Sequence, residues 1–372
     1  MRRLYIHQLS GWPEIHWDPE RIANLLAHVR HEQGRLVGRV EGLGFSLRLE
    51  AELKTLTLDV LKSSEIEGEI LDARQVRSSV ARRLGLDIGG LEPVDRHVEG
   101  LVEMMLDATR RYQEPLSKER LFDWHAAMFP MGRRGMSKIT VGAWRTDLAG
   151  PMQVVSGPLG KERVHFEAPA ASRVDGEIEL FLTWLNGDSD SDPVLKAALA
   201  HLWFVTIHPF DDGNGRLARA ITDMMLARSE QSSQRFYSMS TQIRQERKSY
   251  YEILEKTQSG TLDITAWCEW FLRCLSRAIH RAQDTLRSVL QKAEFWSHFS
   301  SDILNPRQQK MLNLILDGDF RGNLTTSKWA KMTKCSQDTA HRDILDLIER
   351  GALEKNPGGG RSTSYSLARL SS

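Results

Sequence analysis

From about residue 18 to residue 298, the apolar side chains of this chain recur at three- and four-residue intervals, and caps and breakers cut the pattern into pieces. A chain patterned this way buries its apolar stripes by packing helix on helix, so a mainly α fold is expected. Asp18-Pro19 sets an N-cap before a proline at the first helical position; Ile22, Leu25, Leu26 and Val29 follow, and Gly42 and Gly44 end the run. A second helix over about 46–63 draws on Leu47, Leu49, Leu53, Leu56, Leu58 and Leu61. Further helices are expected over about 93–112, 117–128, 173–186, 193–208, 215–229, 247–257 and 263–297. The strongest strand signal in the first 300 residues is the pair 152–156 and 163–166, a hairpin around Gly157-Pro158-Leu159-Gly160.

The pattern changes near residue 300. Helices over 305–318, 325–334 and 336–350 are followed by short strands over 352–355 and 363–367, the element order of a winged helix-turn-helix. Three regions are therefore expected: a helical region 1–92, a central domain 93–298 and a winged-helix domain 299–372.

Composition limits the function classes. The chain has 372 residues, 50 Lys and Arg against 49 Asp and Glu, and a net charge of +1, which excludes a chain that is basic throughout. A hydrophobic content of 41% is enough for real cores. Three cysteines, Cys268, Cys274 and Cys335, make neither a disulfide framework nor a zinc pattern, which points to free thiols in a reducing cytoplasm. Residues 1–7 start positively charged but lack an apolar h-region, so no secretory leader is expected, and no apolar run approaches a membrane span.

One segment concentrates chemistry: His208-Pro209-Phe210-Asp211-Asp212-Gly213-Asn214-Gly215-Arg216-Leu217-Ala218-Arg219. Pro209 cannot continue the preceding helix, so His208 sits at its exit. The glycines let backbone N–H groups converge on an anion, and the helix starting near Arg216 adds a positive field. Arg216 and Arg219, three apart, share a helix face and can both address phosphate oxygens. Asp212 suits Mg²⁺, which binds through one or two carboxylates plus substrate phosphates. His208 suits a general base for a hydroxyl.

This string resembles the Fic motif, H-P-F-x-[DE]-G-N-G-R-x-x-R, and matches it at every defined position. The resemblance implies a Fic-type helical core that transfers AMP from ATP to a Ser, Thr or Tyr hydroxyl of a protein, itself included, with release of pyrophosphate. It implies His208 as the base, Asp212 as the Mg²⁺ ligand, and Gly213, Asn214 and Gly215 as the anion hole. Arg216 would support the phosphates and Arg219 would meet the γ-phosphate. Related kinases of the Doc type carry a lysine near the position of Gly215, so glycine here favours nucleotidyl transfer. Residues 142–145, Gly-Ala-Trp-Arg, and the hairpin resemble the family's flap region; Met152, Gln153, Val154, Val155 and His165 would dock the target by strand addition.

Residues 63–68, Ser-Ser-Glu-Ile-Glu-Gly, admit two readings. Ser64 and Glu67 have the S-x-x-E spacing of a helix N-terminal capping box. Ser63, Glu67 and Gly68 also resemble the family's inhibitory pattern, [ST]-x-x-x-E-[GN], in which the glutamate pairs with the second motif arginine, here Arg219. Lying before the catalytic motif, it resembles that of class II Fic proteins. Tyr250 and Tyr251 resemble the region near the nucleotide base; either stacks on adenine or belongs to the core. Trp267, Trp270 and Phe271 are expected in the core.

Residues 305–369 hold 11 Lys/Arg and 7 Asp/Glu, a net of +4. Gln337, Thr339 and Arg342 would face bases, and Lys331, Lys334 and Arg361 would reach phosphates, if this module binds DNA. Asp343, Asp346 and Glu349 interrupt the basic face, and winged helices also dock partners or support homodimers. The leading reading is an autoinhibited protein adenylyltransferase using ATP and Mg²⁺. The alternatives are a DNA-binding regulator with a nucleotide-sensing Fic site, and a de-AMPylase.

Overall fold

The computed structural model describes residues 4–86, 91–134, 137–148, 150–158, 160–188, 191–299, 304–318, 320, 322–357 and 363–368. Helix α1 (Pro19–Glu41) opens as its sequence predicts, with Asp18 accepting from the N–H groups of Glu20 and Arg21. It is followed by α2 (Phe45–Ile66), α3 (Ala73–Leu84), α4 (Arg96–Arg110) and α5 (Lys118–Met128). The two-residue strands β1 (Arg133–Arg134) and β2 (Ser137–Lys138) precede the expected hairpin of β3 (Gln153–Ser156) and β4 (Arg163–Glu167), whose register shifts between Val154 and Val155. Then come α6 (Ala171–Asn186), α7 (Pro193–Ile207), α8 (Asn214–Glu230), α9 (Met239–Gln245), α10 (Arg247–Gln258) and α11 (Thr265–His298). The chain continues with α12 (Pro306–Leu316), α13 (Thr326–Thr333), α14 (Gln337–Glu349) and the antiparallel pair β5 (Leu353–Lys355) and β6 (Tyr365–Leu367).

Helices α3 and α9 and the β1–β2 pair were not expected. Asp72 caps α3 and Gly85, at φ +70°, ends it, but its buried apolar residues are only Val76, Val80 and Ala81 among serines and arginines. Helix α9 has seven residues, too few for periodicity to show.

The centre of the molecule is α7 packed on α8. Every side chain of α7 from Val194 to Ile207 is buried, so this helix is apolar on all sides and must be enclosed. One apolar core runs from Ile6 to Val289, and a second from Phe295 to Tyr365. The core therefore does not divide at residue 92; it divides within α11, whose 34 residues pass from one cluster into the other. Lys292 of α11 bonds Glu50 of α2 at 2.5 Å and Asp317, just after α12, at 2.8 Å; Arg77 of α3 pairs with the same Asp317 at 3.0 Å.

In the second unit one acid of α14, Asp343, is turned inward, while Asp338 and Glu349 are exposed and Asp346 is half-buried. Asp343 is buried against Arg307 (2.7 Å), and Asp346 pairs with Arg350 (2.9 Å) and accepts from Gln308 (2.7 Å). Lys331, Lys334, Gln337, Arg342 and Glu349 are exposed, Thr339 is half-buried, and Arg361 lies outside the described residues. Cys268 and Cys274 are buried, Cys335 is half-buried, and burial pushes the Cys268 thiol up to about 12. Among the described residues no helix is long and apolar enough to cross a membrane. Trp267 and Phe271 are core residues, with Trp270 packed against them.

Candidate active site

The loop between α7 and α8 is held from every side. His208 ends α7 in the left-handed region (φ 52°, ψ 58°), a conformation that turns the chain sharply at Pro209. Its Nδ1 lies 3.2 Å from the Val205 carbonyl oxygen, which can only accept, so Nδ1 carries the hydrogen and Nε2 keeps its lone pair. Burial pushes the imidazole down to about 4, against the Val205 bond that raises it. The ring is thus neutral near pH 7.

Arg145 fixes the backbone here. Its Nε donates to the His208 carbonyl (2.7 Å), its Nη2 to that of Pro169 (2.5 Å), and its N–H to that of Pro209 (2.9 Å). The Asn214 side chain closes the loop: Oδ1 accepts from Phe210 N (3.0 Å) and Nδ2 donates to Phe210 O (2.8 Å). Phe210 stacks on His125 with centroids 4.1 Å apart and planes at 10°. His125 Nε2 bonds the Asp212 carbonyl (3.2 Å), while its Nδ1 accepts from Gly142 N (3.3 Å).

Gly213, at φ +84°, is the N-cap of α8 and has no side chain to cover the helix start. The first N–H groups of α8 are therefore left for an anion. Asp212 Oδ1 accepts from Gly213 N at 2.7 Å, and its Oδ2 lies 3.7 Å from Arg216 Nη2. Arg216 sits over the Phe129 ring at 5.0 Å, and its buried Nε has no hydrogen-bond partner among the described residues.

Residues 63–68 lie at the C-terminus of α2, so the N-terminal capping-box reading does not hold. Gly68 N bonds Glu65 O (3.1 Å) and Glu69 N bonds Ser64 O (3.0 Å), with Gly68 at φ +86°, a Schellman turn. Ser63 and Glu67, one turn apart, both face Arg219, which is 1% exposed. Arg219 donates from Nε to Ser63 Oγ (2.9 Å), and from Nη2 to Ser63 O (2.9 Å) and Glu67 Oε1 (2.8 Å). Burial alone would raise the Glu67 carboxyl, but Arg219, then Arg216 and His208, outweigh it and hold the group below the usual carboxylate range. A Cβ on Gly215 would collide with Glu67 Oε1, so the carboxylate lies directly over the start of α8.

The hairpin is mostly exposed. Met152 and Val154 pack toward Tyr5, Phe166 and Ala168; Gln153 bonds Glu167, and Val155 is 47% exposed. His165 bonds Ser156 Oγ and Glu255 Oε2, both at 2.6 Å, and so ties the hairpin to α10.

A family model described as Fic/DOC family matches residues 115–226. The chain carries a Fic domain. A second model, described as Domain of unknown function (DUF4172), matches residues 5–86. The Protein adenylyltransferase Fic of Culex quinquefasciatus is 25% identical over 272 residues, 70% of this chain and 49% of that protein. That of Drosophila virilis is 34% identical over 225 residues, 59% of this chain and 41% of that protein. The chain thus spans about half or less of the length of these curated relatives. A Fic family protein from Desulfovibrio desulfuricans G20 superposes with TM-score 0.53 at 20% identity, over 97% of this chain and 100% of that one. A Fic domain containing signaling protein from Bacteroides thetaiotaomicron VPI-5482 does so with TM-score 0.51 at 18% identity, over 72% of this chain and 98% of that one. These likenesses establish the fold.

Residues 63–68 fall in the DUF4172 span, outside the matched Fic segment, yet Ser63 and Glu67 bond Arg219 inside it. Tyr250 also lies outside that segment, and the structure corrects its reading. It is 2% exposed, its hydroxyl bonds His201 Nε2 (2.8 Å), and its ring packs beside Trp267 and Trp270. Enclosed this way it offers no face to an adenine. Tyr251 is half-buried with Arg247 over its ring at 5.1 Å. Sequence reasoning missed three residues that bear on the motif loop and its arginines: His125, Glu69 and His97. The latter pair reaches Arg216: Glu69 Oε2 is 2.8 Å from its Nη1, and Glu69 Oε1 is 2.6 Å from His97 Nε2. No local pattern announces them, because each acts across at least one helix–helix contact.

Proposed function

We propose that this chain is an autoinhibited protein adenylyltransferase. The observation that carries the reading is the Glu67–Arg219 pair (2.8 Å) lying over Gly215, beside a His208 whose Nε2 is free to accept a proton. With Glu67 withdrawn, the start of α8, Arg216 and Arg219 present donors for a triphosphate. A protein hydroxyl then attacks the α-phosphorus of ATP, its proton passes to His208 Nε2, and the bond to the β-phosphate breaks, releasing pyrophosphate. Serine, threonine or tyrosine hydroxyls all suit this step, including those of the chain itself. The acceptor segment docks along the exposed hairpin, and Tyr251 is the residue left for the adenine.

Among the described residues no group of three or more His, Cys, Asp or Glu gathers to hold a metal. A single carboxylate, Asp212, beside a phosphate-binding helix start is the donor set expected for Mg²⁺, which retains water and binds largely through substrate phosphates. Bound there, Mg²⁺ supplies neutralising charge to the phosphates.

The test is mass spectrometry of Glu67→Gly after incubation with ATP and Mg²⁺. The variant is expected to gain AMP adducts well beyond wild type. Equal labelling removes the brake assignment, and no adduct under any condition removes the adenylyltransferase reading.

The regulator alternative keeps one supporting observation: Asp343 and Asp346 are paired with Arg307 and Arg350, which neutralises two of the acids of α14, though Asp338 and Glu349 stay exposed. We read 299–372 as a winged helix. Titration of the full chain with duplex DNA between 50 and 200 mM salt separates DNA binding, which weakens steeply as salt rises, from a partner-docking role.

A further inference from the structure

Neither the Fic motif nor the inhibitory pattern accounts for Glu69. The Schellman turn that ends α2 sets Glu67 and Glu69 on either side of Gly68. Glu67 takes Arg219, and Glu69 takes Arg216 with the same 2.8 Å spacing. Two carboxylates of one short segment thus engage both guanidinium groups of the motif. Arg216 is 4% exposed, and Glu69, 35% exposed at its side chain, gives it a charge-assisted bond from the cavity wall.

Glu69 is held on its other oxygen. His97 of α4 faces Glu69 Oε1 with Nε2 (2.6 Å) and the Met128 carbonyl with Nδ1 (2.7 Å). Both partners are acceptors, so His97 serves both bonds only as the imidazolium. The Glu69 hydrogen bond raises His97 above its ordinary value against the opposing effect of burial. Glu67, Glu69, His97, Phe129, Arg133 and Arg216 line one cavity of about 340 Å³.

We propose that Glu69 is a positioning residue that, clamped by His97, withholds Arg216 from the nucleotide phosphates as a second brake beside Glu67. Its effect on AMP transfer rests on the adenylyltransferase reading; its effect on phosphate binding does not. Glu67→Gly then relieves Arg219 of its carboxylate and leaves Arg216 engaged with Glu69, so that variant is only partly released. The charged groups facing His97 are Glu69 directly and Arg216 of α8 beyond it, with Arg133 and Glu67 on the same cavity wall. Loss of the His97 proton as pH rises takes the charge from the pair with Glu69 and one of the two N–H donors from the ring, so the second brake loosens toward alkaline pH. His208, pushed down to about 4, is already neutral throughout that range and does not cause the change.

The experiment compares full-length Glu67→Gly with Glu67→Gly/Glu69→Gln, Glu67→Gly/Glu69→Asp and Glu67→Gly/His97→Gln. Calorimetric titration with inorganic tripolyphosphate and with ATP–Mg²⁺ is run from pH 6.5 to 8.5, and AMP adducts are measured by mass. Glu69→Asp keeps the charge but is one methylene too short to span Arg216 and His97. All three double variants are expected to bind tripolyphosphate roughly three- to tenfold more tightly than Glu67→Gly, the range for a partly exposed charge-assisted pair. Affinity of Glu67→Gly should rise with pH relative to the Glu69→Gln double variant. Equal affinities across the set overturn the proposal, as does tightening by Glu69→Gln without tightening by Glu69→Asp, which shows a charge effect alone. Tighter binding without an AMP adduct in any variant keeps the second brake and removes the adenylyltransferase reading.

Discussion

His208 has its tautomer set by the Val205 carbonyl and its neutrality set by burial, the state the proposed base role requires. A histidine lowered to about 4 is deprotonated at every pH above that value, and lowering the pH disables it only on approach to 4. In Glu67→Gly/Glu69→Gln at saturating ATP, where His97 no longer acts through Glu69, kcat is therefore expected to stay flat from pH 6 to 8.5. An inflection near 6.5 contradicts the assignment. His208→Ala should abolish transfer while calorimetry still shows ATP binding; retained transfer means another group takes the proton. The placement of His208 at the exit of α7, beside the glycine loop, is legible in the sequence, since Pro209 ends the helix there. Its state is not, because burial comes from helices distant in the chain.

The decisive element is the end of α2. Within one segment Ser64 and Glu67 have the S-x-x-E spacing of a helix start while Ser63, Glu67 and Gly68 fit the inhibitory pattern, and only the course of the chain decides. α2 runs continuously from Phe45 into this segment, and Gly68 then adopts φ +86°. A residue with a Cβ there pays about 1–2 kcal/mol for the left-handed conformation. Gly68→Ala is therefore expected to lower stability by about 1 kcal/mol in urea unfolding. It should also raise AMP labelling, because the turn that aims both Glu67 and Glu69 is loosened. Lower stability without a gain in labelling separates the turn from the brake. The same contrast explains α3, where clear caps at Asp72 and Gly85 enclose an apolar stripe too thin to be read from periodicity.

At the scale of the whole molecule, one core joins the N-terminal helices to the Fic helices, and α11 carries the chain into the second core. The two units meet where Asp317 accepts both Arg77 (3.0 Å) and Lys292 (2.8 Å), next to α2. Asp317→Ala leaves Lys292 with Glu50 but removes the only carboxylate Arg77 is seen to share among these contacts. Breaking one partner of a partly buried network costs more than losing an exposed pair. Scanning calorimetry of Asp317→Ala is expected to resolve a separate, earlier transition for residues 304–368, with the main transition unmoved. A single transition at the wild-type temperature means the units are coupled elsewhere.

What the amino-acid sequence determines unaided is short-range: the helical pattern, the turn at His208-Pro209, the glycines at the start of α8, and the presence of Glu67 one turn beyond Ser63. Those features follow from steric limits and hydrogen-bond needs within a few residues. The pairings that complete the site were decided by tertiary packing. Arg219 meets Ser63 across 156 positions, Arg216 meets Glu69 across 147, and Tyr250 is drawn inside to His201 across 49. No local rule selects such partners, because burial of α7 and α8 between the surrounding helices brings the chain ends of this site together, and that burial is a property of the whole fold.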